Sequence, residues 1–337
     1  DAVLAEREDR DALRRVAGLS TELTDISEVE YRQLRLEQVV LVGVWTTGTA
    51  EQAQRSLAEL ARLAETAGSQ VLDAFVQRRD KPDAATFVGS GKAAELKQTV
   101  AALGADTVIC DGELTPGQLQ QLEKVLGVKV VDRTWLILDI FAQHARSREG
   151  KAQVALAQMN YMLPRLRGWG DAMSRQAGGI GTRGPGETKI ETDRRRIRAR
   201  VAKLRRELAA MGTAREVARA SRRRSHVPSV AIVGYTNAGK SSLLNRLTKA
   251  GVLVQDELFA TVDPTVRKAR TPSGREFTLS DTVGFVRHLP HQLVESFRST
   301  IEEAAEADLL LHVVDGSSDA PAEQIAAVRE VLDDVGA

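Results

Sequence analysis

The chain has 337 residues, of which 42% are hydrophobic and 28% charged, ordinary values for a globular protein of roughly two domains. No apolar run approaches the ~18 residues that a membrane helix needs. The single cysteine, Cys110, excludes an internal disulfide and fits a reducing cytoplasm. The net charge of +1 is spread unevenly: residues 165–224 hold 18 Lys/Arg against 6 Asp/Glu, a net of +12, which leaves −11 for the rest. A basic block inside an acidic chain points to a polyanionic partner for that block alone.

The N-terminus, DAVLAEREDRDALRR, is charged and helical in pattern over residues 1–17, unlike a signal peptide. It lacks a Met and is not expected to be the natural start. Residues 25–37 are charged and carry no clear period. Val39–Val44 is a continuous apolar run, as in a strand buried on both faces. Glu51–Ala67 places Ala53, Leu57, Leu60, Ala61 and Ala64 on one helical face. Val71–Val76 is the next strand. Thr86–Lys92 leads into a helix with Leu96, Val100 and Leu103 at helical spacing. Thr107–Cys110 is a strand, and Thr115-Pro116-Gly117-Gln118 has the form of a capping-box helix start. Lys129–Val131 is the last short strand. Strands alternating with helices predict a small, mainly parallel α/β domain, with its sheet over about residues 38–132. Gly89-Ser90-Gly91-Lys92 is either a tight strand-to-helix turn or a short phosphate-holding loop; its spacing is too short for a Walker motif.

From Arg133 to Pro164 the pattern is a long helix or a broken pair. Leu136, Ile137, Ile140, Phe141 and His144 form one stripe, Val154, Ala157, Tyr161 and Met162 the next, with Pro164 expected to end it. Gly178, Gly179, Gly181, Gly184 and Gly186 then make a loop able to approach another surface closely. Arg175 lies before it, Arg183 within it, and Arg194, Arg195 and Arg196 follow. Backbone N–H groups and guanidinium forks are both donors to anions, so these residues are candidate RNA contacts. After the loop, Ile190, Ile197, Val201, Leu204, Leu208 and Met211 recur at heptad-like steps. The two helical stretches are therefore expected to pack as an antiparallel hairpin, residues 133–212, carrying the glycine loop at its tip. Residues 213–228 form a basic connector.

Val230–Val233 is a strand, and Gly234-Tyr235-Thr236-Asn237-Ala238-Gly239-Lys240-Ser241 matches G-x-x-x-x-G-K-[ST], followed by a helix with Leu243, Leu244 and Leu247. Strand, loop and helix stand where a P-loop requires them. Its backbone N–H groups, with Ser242, are expected to cradle phosphates, Lys240 to reach the β- and γ-phosphates, and Ser241 to ligate Mg²⁺. Asp281-Thr282-Val283-Gly284 closes a later strand, with Asp281 expected to hold Mg²⁺ through water and the Gly284 N–H to meet the γ-phosphate. Between them lies Phe259-Ala260-Thr261-Val262-Asp263-Pro264-Thr265. Thr261 is preferred to Thr265 for the metal, from its twenty-residue distance to Asp281 in related folds. Lys240, Thr261 and Gly284 are the candidate catalytic groups. Leu309–Asp315 and Ala320–Val335 are the last strand and helix.

Taken together, GGIGTRGPGET…ETDRRRI, GYTNAGKS, FATVD and DTVGF resemble the HflX family of bacterial GTPases, along nearly the whole chain. The glycine-rich stretch is the specific part, since the P-loop alone fits many GTPases. The resemblance implies GTP as substrate with Mg²⁺, a cytoplasmic and monomeric protein, and binding to the large ribosomal subunit near the peptidyl-transferase centre. It further implies GTP-dependent splitting or rescue of stalled or idle ribosomes. The family's guanine-reading Asn-Lys-x-Asp is expected after Val335, past the last residue, so the GTPase domain from 229 to 337 is expected to be incomplete. Phe285 stands where many GTPases carry a glutamine that orients the attacking water, which implies slow intrinsic hydrolysis. Two other classes remain open: an ATP-driven RNA remodeller with a second nucleotide site in the N-terminal domain (residues 1–132), and a non-catalytic ribosome assembly or hibernation factor. His144, His226, His288, His291 and His312 show no metal-ligand spacing. Trp45 and Trp135 are expected in packing; Trp169, beside Arg165 and Arg167, is either packing or a base-stacking residue.

Overall fold

The computed structural model describes residues 37–176, 194–212, 227–248, 257–263, 265–287, 301 and 304–336. The helix read over residues 1–17, the Gly178–Gly186 loop with Arg183, Ile190 of the seam, residues 213–226 of the connector with His226, Pro264, His288 and His291 lie outside the described residues, as do the side chains of Trp169 and Arg175. The chain divides into two compact units, Asp1–Ile137 with Gln158–Ala202, and Leu138–Ala157 with Lys203–Ala337.

The first unit is built on four parallel strands: β1 (Gln38–Trp45), β2 (Gln70–Arg78), β3 (Thr107–Asp111) and β4 (Lys129–Asp132), in the order β2-β1-β3-β4. The apolar run read as a doubly covered strand is central, with Val39, Val40, Leu41 and Val42 all buried. Helix α1 (Ala50–Thr66) begins with a capping box in which the Thr49 hydroxyl accepts from Gln52 N–H, satisfying a donor that the first turn leaves open. It buries Leu57, Leu60, Leu63 and Ala64. Helix α2 (Ser90–Leu103) and helix α3 (Pro116–Leu126) follow. The latter starts with the expected Thr115/Gln118 box and Pro116 in its first turn. The Gly89–Lys92 stretch has the geometry of a tight turn. Arg79 crosses Gly89 and donates to the Val88 carbonyl at 3.0 Å, while the Lys92 ammonium rests on Glu95 at 2.7 Å. Cys110 is buried, and burial pushes its thiol pKa up, as befits an inert core residue.

Helix α4 (Arg133–His144) and helix α5 (Arg148–Gln176) form the broken pair. The fully buried Asp132 caps α4, accepting from Trp135 N–H at 2.8 Å and Leu114 N–H at 3.0 Å. Burial raises its pKa, and those bonds together with Arg165 oppose the rise. Arg133 is buried against Asp111 and Glu59. Pro164 does not end the helix; it lies inside α5, which continues to Gln176. A proline there removes one backbone bond and costs ~3 kcal/mol. Tertiary bonds on its C-terminal side offset this. The Arg165 guanidinium carbon sits 3.4 Å from the centre of the Tyr161 ring, and the group donates to the Tyr161 carbonyl at 2.9 Å and to the Leu114 carbonyl at 2.6 Å, and reaches Asp132 at 3.3 Å. Trp135 packs on Tyr161 with ring centroids 5.4 Å apart. Helix α6, residues 194–212, buries Ile197, Val201 and Leu204, with Leu208 and Met211 half-buried, on the predicted seam. Arg194 and Arg196 are half-buried and Arg195 exposed on its first turn.

The second unit holds β5 (Ser229–Gly234), helix α7 (Lys240–Thr248), β6 (Thr265–Arg270), β7 (Glu276–Asp281), β8 (Leu309–Val313) and helix α8 (Pro321–Val335). Its strands run in the order β6-β7-β5-β8, with only β6 antiparallel to its neighbour. Ile232, Leu244 and Leu279 form a small core beneath the first turn of α7. The carboxyl ends of β5 and β7 thus meet at one edge, where ligands of open α/β sheets bind. Among the described residues no helix is long and apolar enough to cross a membrane.

Candidate functional site

β5 delivers the chain to Gly234, and α7 starts at Lys240. Between them the turn is closed by two residues with positive φ, Asn237 (58°) and Gly239 (92°), conformations that glycine and asparagine tolerate. The Lys240 ammonium is buried, donating to the Tyr235 carbonyl at 2.7 Å. Burial lowers its pKa from 10.5 to about 8, and the Asp281 carboxylate opposes the shift.

That shift fixes the sign of a pH effect. Between pH 8 and the ordinary lysine value the unfolded chain binds the proton that the nucleotide-free fold has released. Stability therefore rises with pH through that window. Melting temperatures of the nucleotide-free protein across it are expected to show the rise, and Lys240→Met to flatten it. Equal slopes in the two proteins would contradict the assignment.

Three oxygen-bearing side chains from three segments converge beside Lys240. The Ser241 hydroxyl donates to Asp281 Oδ2 at 2.6 Å and lies 2.8 Å from the Thr261 hydroxyl. Thr265 stands elsewhere, opposite Asp281 in the β6–β7 register. Asp281 is fully buried, and its Oδ1 has no hydrogen-bond partner among the described residues. Burial raises its pKa, opposed first by the Ser241 hydroxyl and then by Lys240. Two hydroxyls and a half-satisfied buried carboxylate are hard oxygen donors, suited to Mg²⁺ shared with phosphates. No group of three or more His, Cys, Asp or Glu side chains suited to a metal occurs among the described residues.

The cleft is walled by Thr236, Asn237, Gly239, Lys240, Ser241 and Ser242, by Phe259, Ala260 and Thr261, and by Gly284. Gly284 lies so close to the P-loop that an added Cβ would stand 2.7 Å from Thr236 Cα and 3.1 Å from Lys240 Nζ. Other residues expected at the nucleotide do not wall the cleft. Gly234 and Tyr235 lie beneath it, where Gly234 accepts from Phe285 N–H at 3.2 Å. Ala238 N–H turns back to the Tyr235 carbonyl at 3.3 Å. Val262 and Val283 are buried, and the Thr282 hydroxyl donates to the Ile232 carbonyl at 2.7 Å. Asp263 faces the turn between α4 and α5. Phe285 is buried, its backbone bridges to Tyr235, and its side chain does not wall the cleft.

Sequence reasoning missed Glu257, which also walls the cleft, and His144, whose Nε2 lies 3.8 Å from the Glu257 carboxylate. Neither carries a local signal, since their proximity spans more than a hundred residues. Of the arginines expected at RNA, only Arg194, Arg195 and Arg196 have described side chains.

Three family models match in succession: "GTP-binding GTPase N-terminal" over residues 54–142, "GTP-binding GTPase Middle Region" over 144–222 and "50S ribosome-binding GTPase" over 229–336. The chain is 50% identical over 316 residues to GTPase HflX of Lacrimispora saccharolytica, covering 94% of this chain and 73% of that protein. It is 47% identical over 302 residues to GTPase HflX of Escherichia coli K12, covering 89% and 70%. Among solved structures, a complex of SsGBP with GDP is similar at a TM-score of 0.50 and 27% identity, covering 89% of this chain and 79% of that one.

Proposed function

Because the chain belongs to the HflX family of GTPases, and so binds and hydrolyses GTP, we propose that its triphosphate state binds the large ribosomal subunit and splits or rescues stalled or idle ribosomes. The observation that carries the ribosomal partner is the match of residues 229–336 to a 50S ribosome-binding GTPase model. The net charge of +12 over residues 165–224 supports it, because a polyanion such as ribosomal RNA is the partner that such a block attracts. In this reading residues 1–132 form the N-terminal domain, 133–212 the helical hairpin, 213–228 the connector and 229–337 the GTPase domain. The Gly178–Gly186 loop, with Arg175, Arg183 and Arg194–Arg196, meets RNA near the peptidyl-transferase centre, in the cytoplasm and as a monomer.

At the nucleotide, Ser241 and Thr261, with Asp281 through water, would hold Mg²⁺, which when bound would neutralise charge on the phosphates. Lys240 exchanges the Tyr235 carbonyl for the β- and γ-phosphate oxygens. The Gly284 N–H faces the γ-phosphate from the opposite wall. Thr261 is the element that senses the triphosphate, since it already rests on Ser241. With the Phe285 ring buried, position 285 offers no side chain to orient water, so hydrolysis by the isolated protein is slow. A bound partner can supply the difference, as activators of this fold accelerate hydrolysis by up to ~10⁵-fold.

Sedimentation of the protein with purified large subunits tests this reading. Binding is expected with a non-hydrolysable GTP analogue, to fall with GDP or no nucleotide, and to disappear when Gly178–Gly186 is deleted. Binding that ignores both nucleotide and loop would overturn it.

A further inference from the structure

The five residues Phe259–Asp263 are fastened at both ends to the corner between α4 and α5, and Thr261 hangs between the two fastenings. At the first end, Phe259 has φ of 58°, unusual for a bulky residue. Such a conformation persists only where surroundings over-determine it, and here they do. Its N–H donates to the Thr236 hydroxyl at 2.7 Å, its carbonyl lies 2.9 Å from His144 Nδ1, and its buried ring meets Phe141 edge-on with centroids 4.6 Å apart. At the second end, Asp263 Oδ2 accepts from the N–H groups of Arg146 and Ser147, each at 2.7 Å, and Oδ1 accepts from the Ser147 hydroxyl at 2.5 Å. The Ser147 hydroxyl in turn accepts from Gly150 N–H at 2.8 Å. Gly150 is small for a reason: a Cβ there would overlap the Asp263 carboxylate.

We propose that Asp263 is a positioning residue for GTP hydrolysis, which acts through its hydrogen bonds to the Arg146–Ser147 corner to hold Thr261 against Ser241 and Asp281. It does not touch the cleft. A single residue, Val262, separates it from Thr261, so its attachment sets how far the Thr261 hydroxyl can drift from the metal oxygens. Partners that orient a metal ligand are worth about 10–100-fold in metal affinity or activity, and the same scale is expected here. The inference rests on the role given to Thr261 above.

The test compares Asp263→Ala, Asp263→Asn, Ser147→Ala and Gly150→Ala with Thr261→Ala in the intact protein. Readouts are kcat and KM for GTP, the Mg²⁺ concentration for half-maximal hydrolysis, GDP affinity at saturating Mg²⁺, and melting temperature. Asp263→Ala and Gly150→Ala are expected to lower kcat and raise the Mg²⁺ midpoint about tenfold, with GDP affinity within about twofold, because only the triphosphate state uses Thr261. Asp263→Asn is expected to keep most activity, since its amide oxygen still accepts from both N–H groups, and Ser147→Ala to fall between. If Thr261→Ala is impaired while the corner variants match the parent, the inference fails alone. If Thr261→Ala itself keeps its kcat and Mg²⁺ midpoint, the role of Thr261 fails first. Asn failing as badly as Ala at equal melting temperature, or GDP affinity falling in parallel, would also overturn the proposal. Should Asp263→Ala or Gly150→Ala not fold, the contrast between Ser147→Ala and Asp263→Asn still decides.

Discussion

Lys240→Ala is expected to abolish measurable triphosphate binding at micromolar protein. In the nucleotide-free fold the ammonium is buried, held by the Tyr235 carbonyl 2.7 Å away and attracted by Asp281. No solvated lysine could replace it, because the space is enclosed by the P-loop and Gly284. When phosphates enter, the ammonium exchanges one neutral acceptor for several charged ones, and hydrogen bonds between charged groups are about twice as strong as neutral ones. Truncating one partner of a buried charge pair costs about 2–5 kcal/mol, which weakens the nucleotide by a factor of roughly 30 to several thousand. Titration of a fluorescent GTP analogue reads this directly. The same variant takes the ammonium from the Tyr235 carbonyl, which keeps the Ala238 N–H at 3.3 Å, and removes the positive charge near Asp281, so some loss of melting temperature accompanies it. Retained affinity within tenfold of the parent would remove Lys240 from the phosphate site.

Much of this site was legible because its chemistry is local. Gly234 to Ser241 specify a turn and a helix start within eight residues, and the run Val39–Val44 specifies a central strand by composition alone. The preference for Thr261 over Thr265 rests on the distance to Asp281 in related folds rather than on any local signal, and in the structure the Thr261 hydroxyl lies 2.8 Å from that of Ser241. Long-range pairings were not legible. Pro164 stays helical because Arg165 bonds to a carbonyl 51 residues earlier, at Leu114, and no helical period encodes that. Asp263 was grouped with the nucleotide because of its neighbours in sequence, yet its partners, Arg146 and Ser147, lie more than a hundred residues upstream. Phe285 was visible as a missing glutamine. That its ring is buried, and that its backbone pairs with Tyr235 of the P-loop, only the fold reveals.

Gly284→Ala is expected to reduce GTP hydrolysis at saturating nucleotide by about a hundredfold or more, since misplacing a reacting group by 1 Å can cost ~10². The reason is space rather than backbone freedom. The new methyl carbon would stand 2.7 Å from Thr236 Cα, 2.9 Å from Thr236 Cβ and 3.1 Å from the Lys240 ammonium. The first of these neighbours is backbone, held by Thr236 N–H donating to the Phe285 carbonyl at 2.7 Å. Its hydroxyl is also committed, to Phe259 N–H. The P-loop therefore cannot move aside without disturbing the Thr261 segment, and the cheaper response is for the chain at 284 to retreat from the γ-phosphate. Triphosphate binding is then expected to weaken more than diphosphate binding, because only the triphosphate reaches Gly284. Measuring both affinities separates the outcomes. Equal losses would show that the methyl group disrupts the P-loop as a whole, whereas unchanged hydrolysis would show that the Gly284 N–H has no part in the reaction.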